Sequence, residues 1–510
     1  MSWLLGNHTL PGHIDPQALA LEWPDGRRTY GELRDRALRL AAGLRDLGLK
    51  AGDRVGVHLF NRGETFEIYF ACAYAGLVMA PVNFRFTERE IGFVHDDSAP
   101  AVVFTEPELR PALEAGLERS SSPRPTVVEL EAKACGPLYE RLLADASLAA
   151  YGFSEIQMLL YTSGTTGRPK GVEMRHRNIM WCAMQQSVLY TGMAGAPVTM
   201  LTGPMYNTAA LNEQSIPTFL AGGTVTIMPS RGWKPARMAE LMSRWQVTHA
   251  LIYPSMMEPM LAADDLAPLP LGSLRCVVTG GESCPAPLLR RFKDRWPKPH
   301  LFVAYGSTES GIVSLLSDDE IWERPGSVGR PAGGQTFAVV DNLGRIAPVG
   351  TVGEVVTCGP SVVSGYWNAP ELTQSAFTHG WLKMGDLGRI DSGGYLYIEG
   401  RSKDVIISKG QNVYPAEIEI ALSEHTDILD AAVVGVPDAE AGEAVCACVV
   451  PKPGAALAAD DVRDFVRARL ASYKKPKHVV FLSELPRNPS GKVVKAELSQ
   501  VVGQHTGGVS

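Results

Sequence analysis

Short apolar runs alternate with amphipathic helical stripes along most of this 510-residue chain, and that alternation limits the fold more than any single motif does. Thr29-Tyr-Gly-Glu32 carries the hydroxyl and carboxylate of a capping box. Leu33, Ala37, Leu40, Ala41 and Leu44 then fall on one helical stripe. Gly48 closes that helix, Arg54 to Phe60 reads as a strand, Glu64 to Gly76 as a second helix and Val78 to Val82 as the next strand. Helices interleaved with short strands predict α/β layers. The length exceeds one ordinary core, so at least two domains are expected.

The alternation resumes further on. Thr224 to Met228, Val247 to Tyr253, Leu274 to Thr279 and His300 to Ala304 read as strands, with a helix over Pro235 to Trp245. Gly280-Gly-Glu282 and Tyr305-Gly-Ser-Thr-Glu309 are polar clusters just past apolar strands. Ligands of open α/β sheets bind in that position. Between 385 and 412 the texture changes to tight turns with charges. Beyond it a compact pattern follows: a helix from Pro415, strands at Ala432 to Val436 and Val445 to Val450, a helix at Asp461 to Leu470 and a strand at His478 to Leu482. The expected fold class is α/β, with a large multi-layer N-terminal α/β domain over 1–400 and a small C-terminal α+β domain over 401–510.

Several function classes are excluded early. A net charge of −7 gives no basic surface for nucleic acid or an anionic membrane. The most apolar window, Ile68 to Val82, is too short to span a bilayer, so no transmembrane segment is expected. The first residues lack a basic segment before an apolar core, so no signal peptide is expected. The eight cysteines are scattered through apolar runs, which reads as packing in a reducing, cytoplasmic setting. Neither HExxH nor GxSxG occurs.

Tyr161-Thr-Ser-Gly-Thr-Thr-Gly-Arg-Pro-Lys-Gly-Val172 carries the chemistry. Glycines turn backbone N–H groups inward, hydroxyls add donors and Lys170 adds positive charge, which together make a phosphate cradle. It is not a Walker loop: two residues separate Gly164 from Gly167, and Lys170 is followed by Gly171. A flexible linker is the plain alternative. Pro169 and the apolar run Ile156 to Leu160 argue against it.

In order along the chain, these clusters resemble the adenylate-forming superfamily of acyl-CoA synthetases, luciferases and peptide-synthetase adenylation domains. The resemblance also covers Gly353-Glu354, Gly365-Tyr-Trp367, Trp381 to Asp386, Gly400-Arg-Ser-Lys-Asp404, Lys409 to Glu417 and Leu485 to Lys492. It implies that a carboxylate attacks the α-phosphate of ATP and that the thiol of coenzyme A then displaces AMP. The cofactors implied are ATP, Mg²⁺ and coenzyme A.

Carried over residue by residue, the resemblance places Thr162, Ser163, Gly164, Thr165, Thr166, Gly167 and Lys170 around the β- and γ-phosphates. Thr165 and Glu309 hold Mg²⁺, Thr308 meets the α-phosphate, and Gly280, Gly281, Glu282, Tyr305, Gly306 and Ser307 lie along the nucleotide. Asp386 and Arg401 hold the ribose, Asn412 joins the nucleotide set, and Lys492 reaches the reacting carboxylate. The catalytic set is therefore Lys492, Thr165 and Glu309. Lys403 falls at a hinge on which the small domain is mobile; Lys409 and Gly410 line the pantetheine entry, and Lys474 and Lys475 meet coenzyme A. Taken singly, Asp386 and Glu309 also fit helix caps, Arg401 and Lys403 solvated turn charges, and Lys492 a surface lysine. The ordered match favours the functional reading for Lys492, Asp386, Arg401 and Glu309.

Tyr206, Asn207, Tyr253 and Gly306 are expected to shape the acyl pocket. Asn207 stands where many relatives have histidine, and it offers no charge to a substrate ammonium. Small and apolar neighbours suggest a fatty, alicyclic or aromatic acid. The expected partners are a small carboxylic acid, ATP and coenzyme A, with a carrier-protein thiol as the alternative acceptor and a homodimer left open.

Overall fold

The computed structural model describes residues 14–131, 136–144, 152–163, 168–191, 195–263, 271–408, 411–438, 440–487 and 493–506, except the side chains of 163, 188–191 and 503–506. Thr29 closes the expected capping box, its hydroxyl accepting from the Glu32 amide at 3.2 Å while the Glu32 carboxylate accepts from the Thr29 amide at 2.8 Å. The helix Tyr30–Asp46 then buries Leu33, Ala37, Leu40, Ala41 and Leu44, as their spacing predicts. The apolar window Ile68 to Val82 becomes the fully buried helix Glu64–Ala75 and the strand Val78–Pro81. A helix enclosed on every side is apolar on every side. It buries two charges: Glu64 is paired with Arg62 at 2.8 Å, and Glu67 is neutralised by Arg28 at 3.0 Å and Arg36 at 2.8 Å, with Tyr139 donating at 2.7 Å. Among the described residues no helix is long and apolar enough to cross a membrane.

Three sheets organise these elements. A six-stranded sheet runs Thr126–Glu129, Val102–Thr105, Arg54–His58, Val78–Pro81, Ile156–Ser163, Pro169–Arg175. It is parallel up to its last pair, an antiparallel hairpin that brackets the Gly/Ser/Thr loop. The largest sheet is parallel from Leu19–Trp23 through Thr224–Ile227, Val198–Leu201, His249–Leu251 and Cys276–Gly280 to His300–Ser307. Beyond His300–Ser307 it becomes antiparallel, through Gly311–Leu316, Ser327–Pro331, Leu396–Arg401 and Trp381–Ile390. The carboxyl ends of four adjacent parallel strands thus deliver Gly203, Tyr253, Gly281 and Tyr305 to one edge. That edge is where α/β sheets hold ligands.

The chain leaves the large sheet at Arg401, turns through Ser402–Asp404, and at Ile406 enters a five-stranded sheet. One face of that sheet packs Val433, Val445 and Val449 with Ile418, Leu422 and Val462. The other packs Cys446 and Cys448 with Leu498 and Val502, so this cysteine pair is core, as its spacing suggests. Among the described residues no cluster of His, Cys, Asp or Glu could hold a metal ion.

Two strand boundaries depart from expectation. His300–Ser307 continues through Tyr305 and Gly306, because Gly311–Leu316 folds back on it as a hairpin and supplies hydrogen-bond partners. Val247 to Tyr253 shrinks to His249–Leu251, because Pro254 opens a helix and makes Tyr253 its cap.

Candidate active site

The antiparallel pairing of Thr162 with Lys170 and Ser163 with Pro169 closes the Gly/Ser/Thr loop at its base. The next segment of the site comes from far away in sequence. Gly365 to Trp367 lies along the strand Pro169–Arg175: Glu173 donates to the Gly365 carbonyl at 3.2 Å, and Trp367 donates to the Gly171 carbonyl at 2.8 Å. This pairing fixes Tyr366 over Lys170, whose ammonium lies 4.4 Å from the ring centroid. The Lys170 ammonium then donates to Glu309 Oε1 at 2.7 Å and to the Tyr366 hydroxyl at 2.7 Å, and that hydroxyl donates to Glu309 Oε1 at 2.8 Å. Burial pushes the Glu309 carboxyl up, but Lys170 and Tyr366 outweigh it and hold the group below the usual carboxylate range. Glu309 is therefore ionised, and Lys170 is held against it before any ligand arrives.

Glu309 sits with Thr308 in the turn between His300–Ser307 and Gly311–Leu316. Ser310 braces the turn, its hydroxyl accepting from the Ser307 amide at 2.9 Å. Gly306 is required by this hairpin, since a Cβ there would lie 2.0 Å from the Gly311 carbonyl oxygen.

A second cluster joins Tyr305 to the next strands. Asp386 and Arg401 are register partners on adjacent strands. The Arg401 guanidinium meets Asp386 Oδ1 at 2.9 Å, and the Tyr305 hydroxyl donates to Asp386 Oδ2 at 2.6 Å. Asp386 is buried, whereas Arg401 is half in solvent. Burial and then the Asp386 charge raise the Tyr305 hydroxyl well above its ordinary range, so it remains a donor. Gly280 pairs with Ala304 so closely that a Cβ would sit 2.1 Å from the Ala304 carbonyl oxygen. Glu282, expected at the nucleotide, accepts from the amide and hydroxyl of Ser255, each at 3.0 Å, and caps the helix Pro254–Ala262.

Around the residues expected to shape the acyl pocket, Asn61 anchors the Gly203–Met205 segment. Its amide donates to the Gly203 carbonyl at 2.9 Å and its carbonyl accepts from the Met205 amide at 2.9 Å. Tyr253 lies beside both Gly203 and Gly281, whose missing Cβ atoms leave it room. Tyr206 packs edge-on against Phe84 at 5.1 Å, and its buried hydroxyl has no partner among the described residues. Asn207 is half-buried, and its carbonyl accepts from the Leu211 amide at 3.1 Å.

The remaining expected residues divide sharply. Gly164, Thr165, Thr166, Gly167, Lys409, Gly410 and Lys492 lie outside the described residues, as does the Ser163 side chain. Lys403 is exposed on the turn Ser402–Asp404, and Asn412 is exposed on the strand Gln411–Val413, bonded to none of the residues above. Lys474 is engaged by Glu417, while Lys475 is exposed. Two residues of the site were assigned no role from sequence: Asn61 and Tyr366. Only Tyr366 carried a signal, because it falls inside a motif.

Family models for the AMP-binding enzyme and for the AMP-binding enzyme C-terminal domain match residues 13–367 and 417–492. A feruloyl-CoA synthase from an Amycolatopsis species is 35% identical over 492 residues, covering 96% of this chain and 97% of the relative. The fatty acid–acyl-carrier-protein ligase ScoC from Streptomyces coeruleorubidus is 33% identical over 92% of this chain and 91% of its own length. ATP-bound MatB from Rhodopseudomonas palustris, 32% identical, superposes with a TM-score of 0.89 over 98% of this chain and 99% of that one. Apo MatB gives 0.79 over 99% and 100%.

Proposed function

We propose that this chain, which belongs to the AMP-binding enzyme family, is an AMP-forming acid:CoA ligase. A carboxylate oxygen attacks the α-phosphorus of ATP, the bond to the β-phosphate breaks, and pyrophosphate leaves. The thiolate of coenzyme A then attacks the acyl carbon, and AMP departs with its oxygen. The observation that carries this reading is the Lys170–Glu309–Tyr366 cluster, which sets a held cation and an ionised carboxylate beside the hydroxyl-rich loop.

The residues fit ATP with Mg²⁺. The buried Thr162 hydroxyl has no partner among the described residues, and the Glu309 carboxylate is the hard oxygen donor that Mg²⁺ prefers. When bound by Glu309 and Thr165, Mg²⁺ neutralises phosphate charge. Phosphoryl chemistry depends mainly on positioning and charge, which Lys170 and the loop amides supply. Tyr305 lies against adenine, Thr308 meets the α-phosphate, and Asp386 with Arg401 takes the ribose hydroxyls. Lys492 serves the reacting carboxylate, and Lys409, Gly410 and Lys475 face coenzyme A. A reducing, cytoplasmic setting fits the described cysteines, which form no disulfide.

Lys403 is the hinge of the proposal. ATP-bound MatB matches this chain with a TM-score of 0.89 and apo MatB with 0.79. A part that swings lets one site run two chemistries in turn. Lys492→Ala is expected to abolish adenylation and spare thioester formation from supplied acyl-adenylate; equal loss of both half-reactions would sink this division.

The feruloyl-CoA synthase relative favours an aromatic acid. The ScoC relative keeps a carrier-protein thiol as the second reading. The deciding experiment pairs acid-dependent pyrophosphate–ATP exchange with thioester formation, offering free coenzyme A against a holo carrier protein. Exchange with thioester on free coenzyme A is expected. Thioester on the carrier alone supports the second reading, and no exchange with any acid overturns both.

A further inference from the structure

Behind the hairpin that closes the Gly/Ser/Thr loop, a single aspartate joins segments that are far apart in sequence. Asp97 lies in the last turn of the helix Glu88–Ser98. Arg54 fixes that helix end, donating to the Ala99 carbonyl at 3.1 Å with its guanidinium 5.9 Å from the Trp367 ring centroid. The Tyr161 hydroxyl donates to Asp97 Oδ2 at 2.7 Å. From the other side, Trp367 Nε1 donates to the Asp97 carbonyl at 3.0 Å. The Asn368 side-chain amide donates to the same carbonyl at 3.0 Å and to Asp97 Oδ1 at 3.4 Å. Asn368 has a φ of +50°, a left-handed conformation that few residues other than glycine adopt, and these bonds hold it there.

Side-chain alternation makes this joint bear on the phosphate loop. Gly365 to Trp367 runs along Pro169–Arg175, which pairs in turn with Ile156–Ser163, so three extended segments lie edge to edge. Neighbouring side chains on such segments point to opposite faces. Tyr161 and Trp367 pack on the rear face with Ile91, Val94 and Leu159. Thr162 and Lys170 are register partners one step along, and Lys170 meets Tyr366 on the front face. The central segment has no side chain behind it at this level: Gly171 is the register partner of Tyr161, and a Cβ there would lie 3.1 Å from the Tyr161 ring. Asp97 therefore reaches from one outer segment to the other across a glycine. None of its three partners is among the residues expected to touch ATP.

We infer that Asp97 is a positioning residue for the adenylating half-reaction: by tying Tyr161 to Trp367 and Asn368 it sets the spacing at which Thr162, Lys170 and Tyr366 meet the β- and γ-phosphates. The inference rests on the ligase reading for the reaction, whereas the joint itself stands on the bonds above.

The test measures Kd by calorimetry on the full chain, for β,γ-methylene-ATP with Mg²⁺ and for AMP, which lacks the two outer phosphates. Asp97→Ala and Tyr161→Phe should each weaken the ATP analogue about tenfold, the range of a hydrogen bond to a charged group. Both should leave AMP within about twofold of wild type, because the joint acts only where the outer phosphates lie. Tyr161→Phe keeps the ring over Gly171, so it reads the lost bond even where Asp97→Ala folds poorly. The double variant should bind no more weakly than Asp97→Ala alone, since both changes remove one bond. Asp97→Asn keeps an acceptor for Tyr161 and should recover the analogue to within about threefold of wild type. Equal weakening of AMP and the analogue would mean a merely structural role and would overturn the assignment, as would an unchanged analogue in Tyr161→Phe. Acid-dependent pyrophosphate–ATP exchange by wild type separates this inference from the reading beneath it. Selective weakening of the analogue with no exchange on any acid would support Asp97 and overturn the ligase reading; exchange with unchanged analogue affinity in the variants would do the reverse.

Discussion

The two halves of this site are built on opposite principles. On the side proposed for the nucleotide the two described carboxylates are paired: Glu309 is held by Lys170 and Tyr366, and Asp386 by Arg401 and Tyr305. On the side proposed for the acid the Tyr206 hydroxyl has no partner among the described residues, nor has the Glu213 carboxylate on the turn Ala209–Gln214 that follows. Paired groups are preorganised and need little rearrangement when an invariant ligand arrives. Unpaired buried groups are costly in the empty protein and discriminate between ligands by whether the ligand satisfies them. On the proposed reading, the half with paired charges holds an invariant nucleotide and the other half chooses among acids.

The largest expected effect tests the paired half. Glu309→Gln breaks the cluster and leaves Lys170 uncompensated. It should lower kcat/KM for pyrophosphate–ATP exchange by about 10² to 10³, the scale of losing one preorganised electrostatic group. The loss should be the same for every acid that supports exchange; a loss that depends on the acid would break the contrast between the halves. Asp386→Asn should act more weakly, raising KM for ATP on the order of tenfold, with the order of acid preference unchanged. A shift in acid preference would place Asp386 in the wrong half.

The smallest effect is on stability, and its sign separates the two carboxylates. The Glu309 carboxyl is depressed in the fold, so its contribution is present above the ordinary carboxylate range and lost as pH falls. The Glu213 carboxyl is raised by burial from 4.5 to about 7, so the fold loses stability as pH climbs through that interval. Glu213→Gln should therefore be more stable than wild type at pH 8, on the order of 2 kcal/mol, and nearly equal to it at pH 5. Thermal melts at the two pH values read the difference. An equal change at both would mean that Glu213 carries no unpaired charge.

Much of the large-scale organisation was legible in sequence because it depends on near neighbours. The capping box at Thr29, the stripe from Leu33 to Leu44 and the burial of Cys446 with Cys448 on one strand face each follow from a local period. The strand ending at Gly280 was visible for the same reason, but the extension through Tyr305 was not. That extension needs the hairpin partner Gly311–Leu316, which an apolar count cannot see. Glu282 adds a contact that its motif did not signal: it accepts from Ser255 at the cap of Pro254–Ala262.

By itself, then, the sequence determined the α/β alternation, the hydroxyl-rich loop and the ordered set of polar clusters, since each is written within a few residues. Only the tertiary structure decided which groups meet. Tyr366 reaches Lys170 across 196 residues of chain because Gly365 to Trp367 pairs with the strand after the loop. Glu213, on the π-turn before Pro217, is enclosed with no hydrogen bond or ion pair to any described residue. Both outcomes follow from packing between distant segments, and a local sequence pattern records nothing of that.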